Sequence, residues 1–411
     1  MRVALRHLVR NRRRTLLTLL AVLIPVYFLV FMFGFANANL QDMFETATRF
    51  DTGHAQIRAV ATRPMGGAIP LMRDPADALA VLATIEGIEG WTVRLDLPAM
   101  ASAGDRSRAV HVRGVVPEEI APVGGLADRI VAGEPLATGR GGVVVGEELA
   151  RLLKLEVGDE VALLGAHPEA AFGAIRAPVT GVYRAPEATL GRTVIYADLE
   201  TARRLARSEA AATAIVIRVA GVASPRDQAT LDRVVQEVRA ALPAGYEVQD
   251  WLELAPLVAT YMGILTPALL IVGGIFFALG GLVVLNTIYL SVLERTRELG
   301  LILSLGAARR RVVWMVLAEA GAIAVVGAAG GAVTGVALIL GVEALGGIPL
   351  WGAAAEFMRE MGMSSVLHLT VDRGQVALAT GAMAAVALLA AWWPARRASR
   401  LEPMEAMRYV D

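Results

Sequence analysis

Four long apolar stretches interrupt an otherwise mixed pattern of polar and hydrophobic positions. A bilayer core about 30 Å thick takes roughly 20 apolar residues as helix, and residues 15–36, 256–292, 312–342 and 375–394 meet that requirement. The first carries no charge. The second exceeds one span, contains Pro267 and the pairs Gly273-Gly274 and Gly280-Gly281, and is expected to project beyond the membrane. The third is rich in Gly and Ala, and the fourth closes on Trp392 and Trp393, at the depth that indoles favour. A cleaved leader is the rival reading of the first stretch, because Ala36-Asn37-Ala38 offers small residues. A leader's apolar run is about 7–15 residues, however, and this one is longer.

Between the first and second stretches the pattern changes to short alternating runs broken by turns. It predicts strands over 54–60, 91–97, 108–115, 142–145, 160–164, 177–183, 193–196 and 214–219. Helices are predicted over 75–85, 147–153, 199–208 and 225–242. In the last of these Leu231, Val234, Val235 and Val238 recur at helical spacing. The expected fold class is an α-helical membrane protein with four transmembrane helices plus an inserted α+β periplasmic domain (37–255) between helices 1 and 2.

Charge then orients the chain. The 39 basic and 39 acidic residues balance, so no nucleic-acid partner is suggested. Arginines cluster before the first span (Arg2, Arg6, Arg10, Arg12, Arg13, Arg14), between the second and third (Arg295, Arg297, Arg309, Arg310, Arg311), and after the fourth (Arg396, Arg397, Arg400, Arg408). The loop 343–374 holds only Arg359 and Arg373. By the positive-inside rule, the segments 1–14, 293–311 and 395–411 are cytoplasmic, and 37–255 and 343–374 lie outside. A multi-pass protein of the bacterial inner membrane with both termini in the cytoplasm is expected.

Candidate chemistry is sparse. Cysteine is absent, which excludes thiol nucleophiles and thiolate metal sites. His54, His111 and His167 have no carboxylate or second histidine at ligand spacing. The inserted domain's serines (Ser102, Ser107, Ser208 and Ser224) lack a nucleophile pattern. No catalytic, cofactor or metal residue is assigned, and no enzyme is expected. A P-loop places a lysine after glycine to reach the terminal phosphates, whereas the lone lysine, Lys154, stands between Leu153 and Leu155. Inside the spans the ionisable groups are Glu319, expected near the cytoplasmic surface a turn or two after Arg311, and Glu343 at the outer end.

The segment between spans two and three has a second pattern. Glu294, Arg295, Arg297 and Glu298 precede Leu299, Leu301, Ile302, Leu303 and Leu305, then Gly306 and the basic Arg309–Arg311. This reads as a short amphipathic helix stopped by a glycine cap, or as a basic connector that only sets topology.

The same residues carry a family resemblance. Asn286 followed by Glu294-Arg295-Thr296-Arg297-Glu298-Leu299-Gly300 and Leu305-Gly306-Ala307 resembles the signature of FtsX/MacB-type ABC permeases. Pro394 to Arg408 is similar to that family's ending. Gly146–Ala150 with Leu155–Asp159 resembles an element of its periplasmic domain, and Arg10–Thr15 also fits. Within the family, Gly347–Leu350, Ala355–Met358, Gly362-Met363 and Thr52–Ile57 resemble the lipoprotein-release (LolC/LolE-like) branch most.

The resemblance implies a permease subunit with no cofactor of its own, ATP and Mg acting on a partner P-loop ABC ATPase dimer. It makes 294–307 the coupling helix. Glu294, Arg295, Arg297 and Glu298 would be its polar contacts, Leu299, Leu301 and Ile302 its packing face, and Gly300 and Gly306 its points of close approach and turning. It also implies a second permease, identical or different, contact with membrane lipid, and a lipoprotein cargo or a periplasmic adaptor. The implied function is lipoprotein release or export of hydrophobic cargo by mechanotransmission. A MacB-like efflux permease and an FtsX-like signalling module regulating a cell-wall hydrolase are the alternatives.

Overall fold

The structure, a computed structural model, describes residues 12–61, 69–72, 74–119, 125–165, 167, 172–185, 188–353, 355–356 and 366–400. Arg2, Arg6 and Arg10, the segment after Arg400, and the Phe357-Met358 and Gly362-Met363 pairs lie outside the described residues.

In chain order, helix α1 (Arg12–Thr46) ends in a π-helical turn, Ala47–Asp51. It is followed by β1 (Ala55–Ala59), α2 (Ala76–Leu82), β2 (Ile88–Ala103), β3 (Arg106–Val115), β4 (Ile130–Gly133), β5 (Val143–Gly146) and α3 (Glu147–Leu153). Next come β6 (Glu160–Gly165), β7 (Ala174–Tyr183), α4 (Ala188–Thr193), β8 (Val194–Asp198), α5 (Leu199–Ala206), β9 (Ala214–Val219), α6 (Gln228–Ala241) and β10 (Tyr246–Asp250). The chain closes with α7 (Trp251–Leu254), α8 (Pro256–Glu294), α9 (Thr296–Ser304), α10 (Arg309–Ala344), β11 (Ile348–Pro349), β12 (Val366–Leu367) and α11 (Arg373–Ala398).

It divides into two units. One comprises Met1–Ala38, Met262–Ile348 and Val366–Asp411, the other Asn39–Tyr261 and Pro349–Ser365. Among the described residues, α1, α8, α10 and α11 are the four helices long and apolar enough to cross a membrane.

In the inserted domain, β2 is shared between two layers. Its first part, Ile88–Arg94, pairs with β9, and the antiparallel ladder continues to β1 and β10. Its second part pairs with β3 and β6. From β3 the ladder runs through β8, β5 and β7 to β6 and so returns to β2. These six strands form a closed ring, which leaves none of them as an open edge. Strand side chains alternate in direction, so Leu95, Leu97, Ala99 and Ala101 of β2 face the interior. There they meet Val112 of β3, Val143 and Val145 of β5, Leu163 of β6 and Ile195 of β8.

Helix α5 lies close against the ring; a Cβ on Gly114 would fall 2.3 Å from that of Ala202. In α6, Leu231, Val234, Val235 and Val238 are the buried residues, as their spacing predicts. Of the elements that escape the sequence pattern, three have a plain physical reason. β4 is an edge with exposed residues, α4 contains Gly191 and two threonines, and β10 has Val248 as its one fully buried position. β2 runs well past its predicted end because Pro98 sits in an otherwise regular ladder.

The membrane-type helices all extend beyond their apolar cores; α1, for example, continues past residue 36 to Thr46. Small residues set their packing. Gly327, Gly331 and Gly335 of α10 stand one turn apart opposite Val22, Val26 and Val30 of α1, and added Cβ atoms would lie 2.9, 2.5 and 3.0 Å from atoms of that helix. Of the glycine pairs in α8, Gly280 and Gly281 press on α1 and α11, with Met383 Cε and Val386 Cγ1 within 2.8 and 2.9 Å of an added Cβ. Gly273 meets Leu29, whereas Gly274 has open space. Asn37 and Gln375 exchange amide hydrogen bonds of 2.6 and 3.3 Å, and the Thr370 N–H donates to Gly34 O at 3.1 Å. Trp393 packs on Tyr289 with Arg397 over both rings, and Trp392 carries Arg396.

Candidate functional site

The inserted domain follows α1 and precedes α8 in the chain, and its own residues at these two points are held by specific contacts. The last carbonyls of a helix lack intrahelical partners and carry partial negative charge. At the end of α1 they are taken by two arginines, one on β2 and one on β3. Arg113 Nη1 donates to Phe50 O at 3.1 Å, and Arg94 Nη1 donates to Asp51 O. The Tyr196 hydroxyl also donates to Phe50 O, at 3.3 Å.

Arg113 further donates from Nη2 to Asp51 Oδ1 and from Nε to Asp96 Oδ1, both at 2.8 Å. Asp96 stands directly across the β2–β3 ladder from Arg113. Arg94 Nε lies 2.7 Å from Asp96 Oδ2, an ion pair out of line for a hydrogen bond. Arg94, Asp96 and Arg113 occupy the ring's outer face yet are buried. Burial pushes the Asp96 carboxyl up, but the charges of Arg113 and Arg94 outweigh it and hold it at about 2.

The returning chain is fastened nearby. Trp251, fully buried at the start of α7, meets Phe44 of α1 edge-on at 5.0 Å and donates from Nε1 to Gln228 Oε1 at 3.0 Å. Phe44 also stacks on His54 at 5.7 Å. His54 Nδ1 accepts from the Val219 N–H, and burial together with the Arg218 charge lowers its pKa to about 4. His54 is therefore a neutral core residue. His111 is exposed on β3, and His167 Nε2 lies 2.8 Å from Ile69 O.

The connector between α8 and α10 is the second place of interest. Within the cytoplasmic segment expected over 293–311, the coupling helix expected over 294–307 corresponds to α9, Thr296–Ser304. At Arg295 the backbone leaves helical geometry, with φ −109° and ψ 15°. At the other end Gly306 takes φ +87°, its N–H reaching Leu303 O at 3.0 Å while the Ala307 N–H reaches Ile302 O at 3.2 Å. This paired bonding is a glycine-dependent helix stop.

The seven sequence-selected residues separate by face. Glu294, Arg297 and Glu298 are exposed, with Leu301 and Leu305 beside them. Leu299 and Gly300 are buried, and Leu299 packs in the cluster of Val292, Val312 and Val316. Gly306 forms the turn. Arg295 points inward, donating to Glu319 Oε2 at 3.1 Å and to Glu298 Oε2 at 3.2 Å. The sequence reading did not single out Arg94, Asp96, Arg113 and Asp51. Their one local signal is charge at the polar positions of an alternating strand, Val93-Arg94-Leu95-Asp96-Leu97.

Comparison with known proteins places this architecture. The MacB-like periplasmic core domain family matches residues 15–241, and the FtsX-like permease C-terminal family matches 270–403. The chain belongs to the MacB/FtsX family of ABC transporter permeases. Its four apolar helices make it a multi-pass membrane protein, with a MacB-like α+β domain between the first and second.

The lipoprotein-releasing system transmembrane protein LolC of Xylella fastidiosa is 24% identical over 373 residues, 86% of this chain and 85% of that protein. The macrolide export ATP-binding/permease protein MacB of Rhodopirellula baltica is 30% identical over 168 residues. That match spans 41% of this chain and 22% of the MacB protein. Among solved structures, the periplasmic region of MacB from Actinobacillus actinomycetemcomitans aligns with a TM-score of 0.34 at 13% identity, covering 52% of this chain and 95% of that one. The extracellular domain of YknZ from Gram-positive bacteria aligns at 0.33 and 11%, covering 47% and 98%.

Proposed function

We infer that this chain is the membrane subunit of an ABC transporter that receives work from an ATPase on a separate polypeptide and delivers it to the domain between α1 and α8. The observation that carries the reading is α9, a short capped helix between two membrane-type helices with Glu294, Arg297, Glu298, Leu301 and Leu305 exposed. Its mixed charged and apolar surface suits a groove on a nucleotide-binding partner. The arginine distribution supports placing α9 and both termini in the cytoplasm of a bacterial inner membrane, with the inserted domain outside.

For cargo, the proposal is lipoprotein release. It is supported by the LolC relative, which is named as a transmembrane component and aligns over most of both chains. ATP and Mg belong to the proposed partner, and a second permease completes the membrane half. Movement of α9 would pass along α8 to the domain as mechanotransmission.

The test is mass spectrometry of what co-purifies with the chain from native membranes in mild detergent. A P-loop ATPase is expected, and Glu298→Arg should reduce its recovery several-fold without loss of membrane insertion. Co-purification of a periplasmic adaptor would redirect the cargo assignment to efflux. A cell-wall hydrolase with no transported substrate would replace it with signalling.

A further inference from the structure

An ionised carboxylate within a membrane-type helix is expensive unless paired, and its partner indicates what it holds. Glu319 is the one acidic residue of α10 before Glu343. It lies ten residues beyond Arg309, about 15 Å along the helix axis. Its side chain is 14% exposed and that of Arg295 19%, with 3.1 Å between Oε2 and Nη1. Ile288, Ser291, Val292, Leu299, Met315 and Val316 surround the pair.

Arg295 is the residue at which α8 stops and α9 begins, and its carbonyl accepts the first backbone bond of α9, from the Leu299 N–H at 2.9 Å. A charge placed there acts on the direction α9 takes. Arg295 has a second carboxylate within reach, Glu298, whose side chain is 58% exposed. With Glu298 alone the guanidinium would be drawn toward solvent. With Glu319 it is drawn into the helix bundle, and the start of α9 goes with it. The far end is already set by the Gly306 turn, which leads directly into α10.

We propose that Glu319 is the positioning residue of the connector. Its carboxylate holds Arg295 against α10 and so locks α9 to that helix at both ends. Arg295 is thereby withdrawn from the exposed face, leaving Glu294, Arg297 and Glu298 as the charges presented outward. Orientation of α9 is a property of this chain alone; that this orientation serves ATPase docking rests on the function proposed above.

Amide hydrogen exchange of the full chain in lipid nanodiscs tests the lock without any partner. Glu319→Leu should speed exchange across residues 296–304 roughly tenfold, because one end of α9 is released into local opening. Exchange across 327–336 should stay unchanged, which separates this effect from misfolding. Glu298→Gln should leave α9 protected.

Exchanging the charges, Arg295→Glu with Glu319→Arg, should restore protection. The exchange is made in the Glu298→Gln background so that two carboxylates do not repel. Unchanged exchange in Glu319→Leu, or equal loss in Glu298→Gln, would overturn the proposal. ATPase co-purification is then measured on the same variants. If Glu319→Leu loosens α9 but even the unaltered chain recovers no ATPase, the positioning role stands and the transporter reading fails.

Discussion

Two charged constellations lie one in each unit of this protein, and they are built differently. At the domain end, Arg94, Asp96 and Arg113 are buried, and the arginines reach backbone carbonyls, the Asp96 carboxylate and, through Arg113, Asp51. At the connector, Arg295 has two carboxylate partners, one partly buried and one exposed. Buried charges tolerate the loss of a partner poorly, because the survivor cannot return to water. Exposed pairs lose little when broken. The first arrangement therefore fixes one geometry through several buried groups, whereas in the second the mostly buried Glu319 carries the hold and the exposed Glu298 adds little.

The largest expected effect breaks the buried cluster of the inserted domain. Arg113→Met strips Asp96 and Asp51 of their shared partner and should destabilise the inserted domain by about 3–5 kcal/mol. Urea titration of the full chain, read by pulse proteolysis at sites in that domain, measures it. A loss below about 1 kcal/mol would show that the cluster is not an anchor.

Acid should act on the same region through His54. Its folded pKa of about 4 lies below the ordinary 6.5, so the unfolded chain binds the proton first. Stability is complete above pH 6.5 and falls as pH drops toward 4, by about 3 kcal/mol over the whole window. Asp96 stays charged through that window, because its own loss begins below about pH 4 and runs toward 2. Unfolding of His54→Gln at pH 7 and pH 4.5 should show a much smaller difference than the parent chain. An equal difference would assign the acid sensitivity elsewhere. The smallest effect sharpens the contrast at the connector: Glu298→Gln should change stability by under about 0.5 kcal/mol in the same titration.

The parts of this architecture that were legible in the sequence are those written in local periodicity. The apolar lengths of α1, α8, α10 and α11, the alternation of β3 and β9, and the helical spacing of Leu231, Val234, Val235 and Val238 each report on near neighbours along the chain. The ring was not legible, because closure depends on β6 reaching both β2 and β7. The domain anchor was hidden for the same reason. Asp96 and Arg113 meet only when β2 and β3 adopt one register, and the π-helical turn that covers them looks like an ordinary helix end in sequence. At the connector, the motif located the segment and the exposed Glu294, Arg297 and Glu298, but Arg295 turns inward and Leu301 is exposed rather than packed. Arg295 reads as one charge among four until the fold brings Glu319 beside it.

The glycine row of α10 limits how the membrane helices can rearrange. Gly327, Gly331 and Gly335 receive Val22, Val26 and Val30 like three teeth in three notches. A shift by a single residue would drive those valines against bulkier neighbours such as Ala328 and Ala332. Helices α1 and α10 therefore have two ways to move: as one body, or by a jump of a full notch, about 6 Å for four residues at about 1.5 Å each. A gradual slide would meet those methyl groups at every position in between, so relative movement of this pair favours whole steps.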